Sequence, residues 1–175
     1  MGSCFATAYI DIIKEKKWRH MREIPWSAPG SFLELIDSYQ IENYLRLTVK
    51  SVQHSHSCPN CHHKSSRPHS RYPRLIQDLP LTDQPVKLLL ISRKWFCDSP
   101  TCPVKVFSER YDWLAPNGRR TRRAEETLRK IAFSTSCLAG EKVARAMHLP
   151  VSHDILLAII HKTSMETEVS PFCRD

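Results

Sequence analysis

The sequence lacks long apolar runs, internal repeats and low-complexity tracts. None of its apolar segments approaches the roughly 20 residues that cross a membrane, and the 175-residue chain carries no pattern typical of a secretory signal. Position 6, where the myristoylation pattern requires Ser or Thr, is Ala6. The seven cysteines are odd in number, which argues against a disulfide scaffold. These absences predict a protein of the reducing cytoplasm without a membrane partner.

Four of the cysteines form two close pairs, Cys58 with Cys61 and Cys97 with Cys102. Two tight turns of this kind can present four thiolates to one tetrahedral Zn²⁺ ion. Because a four-sulfur site leaves no open position for water, the spacing predicts a structural zinc site rather than a catalytic one. Two alternatives stay open: unrelated buried cysteines, or a zinc site in which a nearby histidine replaces one thiolate. The histidines near the first pair are His54, His56, His62, His63 and His69.

Positive charge is concentrated around the cysteines. The formal net charge is +8, and residues 51–120 contain 11 Lys and Arg but only 5 Asp and Glu. An excess of this kind favours a polyanionic partner such as DNA or RNA. A basic but merely soluble surface is the alternative.

The region from about 40 to 116 reads as a small, mostly antiparallel β module held at one end by metal. Alternating apolar and polar residues predict a strand over Tyr44–Val52 and a stronger one over Pro85–Cys97. Two further strands are predicted over 71–79 and 104–107. Residues 1–39 are predicted to be a helical or disordered leader, with a short helix opening at Ser31.

Three helices are predicted after residue 117, which makes the expected fold class α+β. Thr121 is the predicted N-cap of a long helix reaching about Cys137, and Ser152 that of the third helix. Gly140 is predicted to separate the first helix from the second, over 141–147. Residues 117–163 then have a helix-turn-helix layout, with an ordinary three-helix packing as the alternative, and 164–175 is assigned no structure. In that layout Val143, Ala144 and Met147 pack against Ile155, Leu156 and Ile159.

Basic residues beside and on these helices are the candidate DNA contacts. Arginine binds phosphate oxygens in a bidentate manner, and a run of arginines directly precedes the first helix. The exposed face of the third helix is predicted to choose the DNA sequence, with Leu157 and His161 as further candidates. The predicted DNA-binding residues are Arg119, Arg120, Arg122, Arg123, Lys142, Arg145, Ser152, His153, Asp154 and Lys162.

Several short motifs occur in an order that resembles the N-terminal region of ISL-three family insertion-sequence transposases. They include Cys58-Pro-Asn-Cys61, His69-Ser-Arg-Tyr-Pro-Arg, Asp78-Leu-Pro, Arg93-Lys-Trp-Phe-Cys and Arg119-Arg-Thr-Arg-Arg. The resemblance covers roughly residues 40–160. It implies a zinc-binding domain with Cys58, Cys61, Cys97 and Cys102 as ligands, followed by helices after Thr121 that read DNA.

The resemblance also implies a function, which is binding to the double-stranded inverted-repeat ends of a mobile element in a bacterial cytoplasm. The family's ribonuclease-H-like nuclease domain, with its carboxylate triad, has no counterpart in the motifs found here. We therefore predict a DNA-binding, truncated portion of a transposase that is not catalytic alone. The alternatives are a zinc-stabilised regulator that binds a full-length transposase or itself, and one subunit of a split active transposase.

Overall fold

The computed structural model describes residues 25–163. Its main sheet has the strand order β1-β2-β6-β5, with β7 pairing with β6. A separate two-stranded sheet joins β3 to β4. The strands are β1 Leu33–Ile41, β2 Tyr44–Ser51, β3 His56–Ser57, β4 Lys64–Ser65, β5 Pro68–Leu81, β6 Gln84–Phe96 and β7 Val106–Ser108.

The strands predicted around 44–52, 71–79 and 85–97 are confirmed, and the strand predicted over 104–107 is present as β7. All strand pairs are antiparallel except β2 with β6, whose pairing is parallel. A parallel pair requires a long connection, and here the chain passes through β3, β4 and β5 between the two strands. The mostly antiparallel character is therefore as predicted, but the parallel centre of the sheet is not.

The helix predicted to open at Ser31 is wrong, because Leu33–Ile41 forms β1. This strand pairs with β2 along its length, and a register shift between Leu35 and Asp37 breaks its alternation of inward and outward side chains. The broken alternation removes the signal from which a strand is normally recognised. The sheet thus includes residues 33–39, which the sequence assigned to the leader; most of the leader and the tail lie outside the described residues.

One face of the sheet is covered, and β6 shows this in its burial pattern. Val86, Leu88 and Leu90 are fully buried, whereas Lys87 and Leu89 between them are partly exposed. The buried face packs against the loop that follows β7. The residues that complete this core are Leu47, Val49, Ile76, Trp113 and Leu114.

Three helices form a compact unit, called the helical unit (residues 119–163). They are α1 Arg122–Ser134, α2 Cys137–Ala146 and α3 His153–Lys162. Thr121 caps α1 as predicted, and its hydroxyl accepts a hydrogen bond from the N–H of Ala124 at 3.3 Å. The core consists of Ala124, Leu128, Ile131, Ala132, Ala144, Leu149, Val151, Leu156 and Ile159.

Two predictions about α2 are wrong. Gly140 does not separate two helices but lies within α2, where a Cβ would meet Leu156 Cδ1 at 3.0 Å and Thr135 Oγ1 at 3.1 Å. The missing side chain therefore lets α2 approach α3 and the end of α1. Val143 and Met147, predicted to pack against α3, are 39% and 47% exposed.

The connection between α2 and α3 is longer than a simple helix-turn-helix turn of three to four residues. It contains residues 147–152, from the C-cap of α2 to the N-cap of α3. His148 adopts the left-handed conformation, with a φ of 56°, at a position where glycine is common. Within residues 25–163, no helix is both long and apolar enough to span a membrane.

Candidate metal centre and DNA-binding surface

The first cysteine pair is held in the turn between β3 and β4. The N–H of Cys58 donates to the carbonyl of His63 at 2.9 Å, and the N–H of His62 donates to the carbonyl of Cys58 at 2.9 Å. His62 has a positive φ of 58°, which lets the chain reverse within the turn. Cys58 and Cys61 are thereby placed on the same side of the turn.

The second pair lies in the loop between β6 and β7. The N–H of Cys97 donates to the carbonyl of Lys105 at 2.9 Å and so extends the pairing of the two strands. Lys105 Nζ donates to the carbonyl of Cys102 at 3.0 Å and fixes the loop's return. Because β6 also carries the buried Trp95, the second pair is anchored directly to the main sheet.

The four sulfur atoms have the separations that one metal ion requires. All four lie within 4.8 Å of one another, with Cys58 Sγ 3.9 Å from Cys102 Sγ and Cys61 Sγ 3.5 Å from Cys97 Sγ. Four sulfurs bound tetrahedrally at about 2.3 Å from zinc lie about 3.8 Å apart. The residues therefore fit a metal ion, and a four-sulfur donor set is typical of structural zinc. Among the described residues, this is the one group of three or more His, Cys, Asp or Glu side chains that lie close enough together to hold a metal ion.

The surroundings of the thiols favour binding of a cation. The backbone N–H groups of Cys61 and Asn60 point at Cys58 and lower the pKa of its thiol to about 7, although burial acts in the opposite direction. The N–H of Ser99 likewise lowers the pKa of Cys97, but burial and the neighbouring sulfurs outweigh it and raise that pKa to about 12. Four thiols packed this closely cannot all lose their protons without a compensating positive charge. Metal binding would supply that charge and would release protons.

The histidines near the first pair do not join the sulfur cluster. His56 instead has its Nε2 2.8 Å from Oε1 of Glu109, whose side chain is fully buried. Tyr111 donates to Glu109 Oε2 at 2.8 Å, and the N–H of Arg93 donates to the same oxygen at 3.1 Å. This buried cluster supports the strands that carry the cysteines. Its centre, Glu109, lies in the motif Phe107-Ser-Glu-Arg that contributes to the resemblance, but the sequence indicated no role for it.

The family comparison agrees with this geometry. Residues 54–102 match the family model described as the zinc-finger of transposase IS204/IS1001/IS1096/IS1165. The matched segment begins just before the first cysteine pair and ends at Cys102. The predicted resemblance to the zinc-binding region of these transposases is therefore confirmed for this part of the chain. Neither the curated proteins nor the solved structures contain a significant match.

Of the arginines before and at the start of α1, two are exposed and two are engaged within the protein. Arg119 and Arg122 are exposed. Arg120 donates from Nε to Gln77 Oε1 at 3.0 Å and is partly buried. Arg123 binds Asp78 through both Nε, at 2.8 Å from Oδ1, and Nη2.

The Arg123–Asp78 pair joins the helical unit to the sheet. Asp78 is 1% exposed on β5 and also accepts a hydrogen bond from the Thr121 hydroxyl at 2.7 Å. Around this pair, the N–H of Gln77 donates to the carbonyl of Arg119 and the N–H of Thr121 donates to the carbonyl of Gln77. Arg123 thus has a structural partner that its position in the arginine run does not reveal.

The predicted contacts on α2 and α3 are all exposed, but some are paired with carboxylates. The exposed set is Lys142, Arg145, Ser152, His153, Asp154, Leu157, His161 and Lys162. Arg145 pairs with Glu141 at 2.9 Å, and Lys162 lies 3.8 Å from Glu125.

Glu141 takes the capping role that the sequence assigned to Ser152. Ser152 occupies the N-cap position of α3, but its side chain makes no capping hydrogen bond. Instead, Oε2 of Glu141 accepts a hydrogen bond from the N–H of His153 at 3.0 Å and lies 3.1 Å from His153 Nδ1. A carboxylate is favourable at the positive N-terminus of a helix. Glu141 therefore fixes the orientation of α3 relative to α2.

Proposed function

We propose that this chain is a zinc-dependent DNA-binding module of a transposase, and that it recognises the terminal inverted repeats of a mobile element in DNA transposition. The observation that carries the proposal is the match of residues 54–102 to a transposase zinc finger, together with the sulfur separations of Cys58, Cys61, Cys97 and Cys102. The positive charge around this segment supports a nucleic acid partner.

In this proposal the metal has a structural role. Zinc bound by the four cysteines would hold the β3–β4 turn against the β6–β7 loop. Apart from three of the cysteines, the buried hydrophobic cluster at this place contains only Trp95 and Phe107. With the sheet fixed in this way, the Asp78–Arg123 pair holds the helical unit in one orientation. The residues that bind DNA can then act as a single surface.

In the helical unit, α2, the connecting segment and α3 would act as the helix-turn-helix. Asp154, Leu157 and His161 are all exposed and recur at helical spacing on α3, so they form one stripe that can meet base edges in a major groove. Arg119 and Arg122 are exposed and would contact phosphates. In this arrangement the α3 stripe would determine sequence preference, and the two arginines would contribute affinity.

The test compares duplexes that carry inverted-repeat ends of related elements with scrambled duplexes of the same base composition, over a salt series. Asp154→Ala combined with His161→Ala should reduce the preference for the ends and leave the salt dependence unchanged. Arg122→Gln should weaken binding to both duplexes and reduce the slope of log K against log salt by about 0.9, the value for one lost phosphate contact. Zinc content is measured for each variant to confirm that the fold is intact.

A zinc-loaded protein with no preference for the ends would contradict the proposal. The same outcome would favour a second candidate function, a protein-interaction module. Leu138 on α2 and Met147 at its C-cap are 66% and 47% exposed, so both large apolar side chains are available for a protein contact. Self-association or binding to a full-length transposase would then appear as an increase in mass on sedimentation.

The prediction that this chain does not itself cleave DNA stays a prediction. Incubating the same duplexes with Mg²⁺ and resolving the strands on a denaturing gel tests it directly. Cleavage that appears only when a second polypeptide is added would favour the split-transposase alternative.

A further inference from the structure

The main sheet has a second face that is open at its centre. Its ends are contacted by other segments, since Gln77 donates to the carbonyl of Pro150 and Arg93 donates to the carbonyls of Ser51 and Gln53. Along β2, β5 and β6, the outward positions alternate with the buried ones and are all at least partly exposed. We call this the outer face. Its residues are Tyr44, Arg46, Thr48, Lys50, Arg71, Pro73, Leu75, Gln77, Lys87, Leu89, Ile91 and Arg93.

The outer face is positively charged without compensation from its own strands. Five of its twelve residues are Lys or Arg, and none is Asp or Glu. The acidic residues nearest to these cations lie on other segments: Glu34 of β1 is 3.0 Å from Lys50, and the buried Glu109, which follows β7, is 3.8 Å from Arg93 Nε. A sheet face of this composition is suited to a polyanion.

The positive groups form two clusters. At one end, Arg46 and Lys87 are directly opposite each other in the parallel pair β2–β6, and Lys87 Nζ lies 4.0 Å from the centre of the Tyr44 ring. At the other end, Arg71 is opposite Arg93 in the β5–β6 pair. A cleft of about 550 Å³ opens there, lined by Arg71, Arg93 and Lys50 among others.

The spacing of the clusters suits duplex DNA. Arg46 and Lys50 are four residues apart on β2, which corresponds to about 13 Å at about 3.3 Å per residue. The major groove of B-DNA is about 12 Å wide. The two clusters can therefore contact phosphates on the two sides of one groove.

One edge of the outer face also lies next to the arginines that precede α1. Gln77, an outer-face residue of β5, accepts a hydrogen bond from Arg120 and donates from Nε2 to the carbonyl of Pro150 at 3.0 Å. Its backbone pairs with Arg119 and Thr121. The exposed Arg119 therefore lies next to β5, at the edge of the outer face.

We propose that the outer face is a second phosphate-binding surface for duplex DNA, which adds sequence-independent affinity to the contacts made by the helical unit. This inference rests on the proposed function, since it assigns the same DNA a longer contact. An acidic protein segment is the competing occupant, because Leu89 and Ile91 lie between the basic clusters. The proximity of Arg119 and the spacing of the clusters favour DNA.

The test uses the full chain loaded with zinc and a fluorescent scrambled duplex between 50 and 200 mM salt. The double variant Arg71→Gln and Lys87→Gln removes one charge from each cluster. It should reduce the slope of log K against log salt by about 1.8, or about 0.9 for each lost phosphate contact. The matched control is Lys64→Gln with Arg110→Gln, which removes the same charge from two exposed residues outside the outer face and should change the slope far less.

The inference would be overturned if the slope of log K against log salt fell equally in the two double variants. It would also be overturned if the slope fell in neither of them. If the outer-face variant keeps its slope while Arg122→Gln lowers it, the outer face is not a DNA surface, yet the proposed function stands. If the wild-type protein does not bind duplex DNA at all, both proposals fail.

Discussion

The cysteine end of the sheet (residues 54–67 and 95–108) and the helical unit have cores of very different composition. The buried cluster at the cysteine end has five members, and three of them are cysteines. The helical unit buries nine apolar residues and no sulfur. Apolar burial can stabilise the helices without help, whereas a core made mainly of thiols depends on the ion that they bind. The two regions should therefore respond differently to loss of metal.

Loss of zinc is expected to have the largest effect and to separate the two regions. Structural zinc contributes an apparent free energy of about 10–16 kcal/mol in zinc-finger peptides. Cys58→Ser combined with Cys97→Ser, or chelation of the wild-type protein, should unfold the cysteine end and leave the helices formed. Hydrogen exchange should then lose protection at β3 and β4 but retain it at Leu128 and Ile131.

Cys137→Ser is the matched control, because Cys137 lies in the helical unit outside the sulfur cluster. It should leave both the zinc content and the exchange pattern of β3 and β4 unchanged. An unchanged, cooperative melting curve after chelation would show that zinc does not hold the cysteine end together.

The second prediction concerns the junction between the regions and uses two adjacent arginines. Arg123→Leu leaves the buried Asp78 without its cation, a loss worth about 3–5 kcal/mol for a buried pair. Because the Arg123 side chain is 31% exposed, we expect the lower end, about 3 kcal/mol, in urea unfolding. Arg122→Leu, next to it but exposed, should change the free energy of unfolding by less than about 0.5 kcal/mol.

In DNA binding, we expect the larger effect from the Arg122 variant and the smaller one from the Arg123 variant, the reverse of their order in stability. Arg122→Leu should lower the salt slope, and Arg123→Leu should leave it unchanged once the protein is folded. Equal destabilisation by the two variants would mean that Arg123 has no special role at the junction.

The features of both regions that could be predicted from the sequence are those that depend on neighbouring residues. The strands around 44–51 and 84–96 and the start of α1 at Thr121 depend on local signals, namely alternation and a capping side chain. The four cysteines were recognisable because metal spacing is itself a local pattern. For the same reason, the cysteine end was the easier region to assign.

The features that were missed depend on contacts between distant residues. Arg123 reads as one of a basic run because its partner, Asp78, is 45 positions away. Gly140 reads as a helix break, and only the packing of Leu156 against it shows why a glycine lies inside α2. The parallel pairing of β2 with β6 likewise leaves no mark in either strand alone.

The smallest expected effect concerns Glu109, which supports the cysteine end without binding metal. Burial alone would raise the pKa of its carboxyl, but contacts with His56, Ser51 and Tyr111 outweigh this and hold the pKa below its ordinary value of 4.5. The ionised form is thus the one that the fold stabilises. Its contribution should be fully present above pH 4.5 and should be lost as the pH falls through the lowered, folded-state pKa.

Glu109→Gln should therefore cost about 2 kcal/mol near neutral pH, where charged hydrogen bonds are lost, and progressively less in acid. The free energy of unfolding is measured for the wild-type protein and for the variant at each pH, with zinc in excess. Any effect of pH on the metal site then cancels in the difference between the two free energies. Glu42→Gln, which changes an exposed carboxylate in the β1–β2 turn, serves as the control and should have little effect at any pH. If the cost of Glu109→Gln stayed constant down to the lowest pH, charge on Glu109 would not contribute to stability. The cysteine end would then depend on the metal and on packing around Trp95 and Phe107.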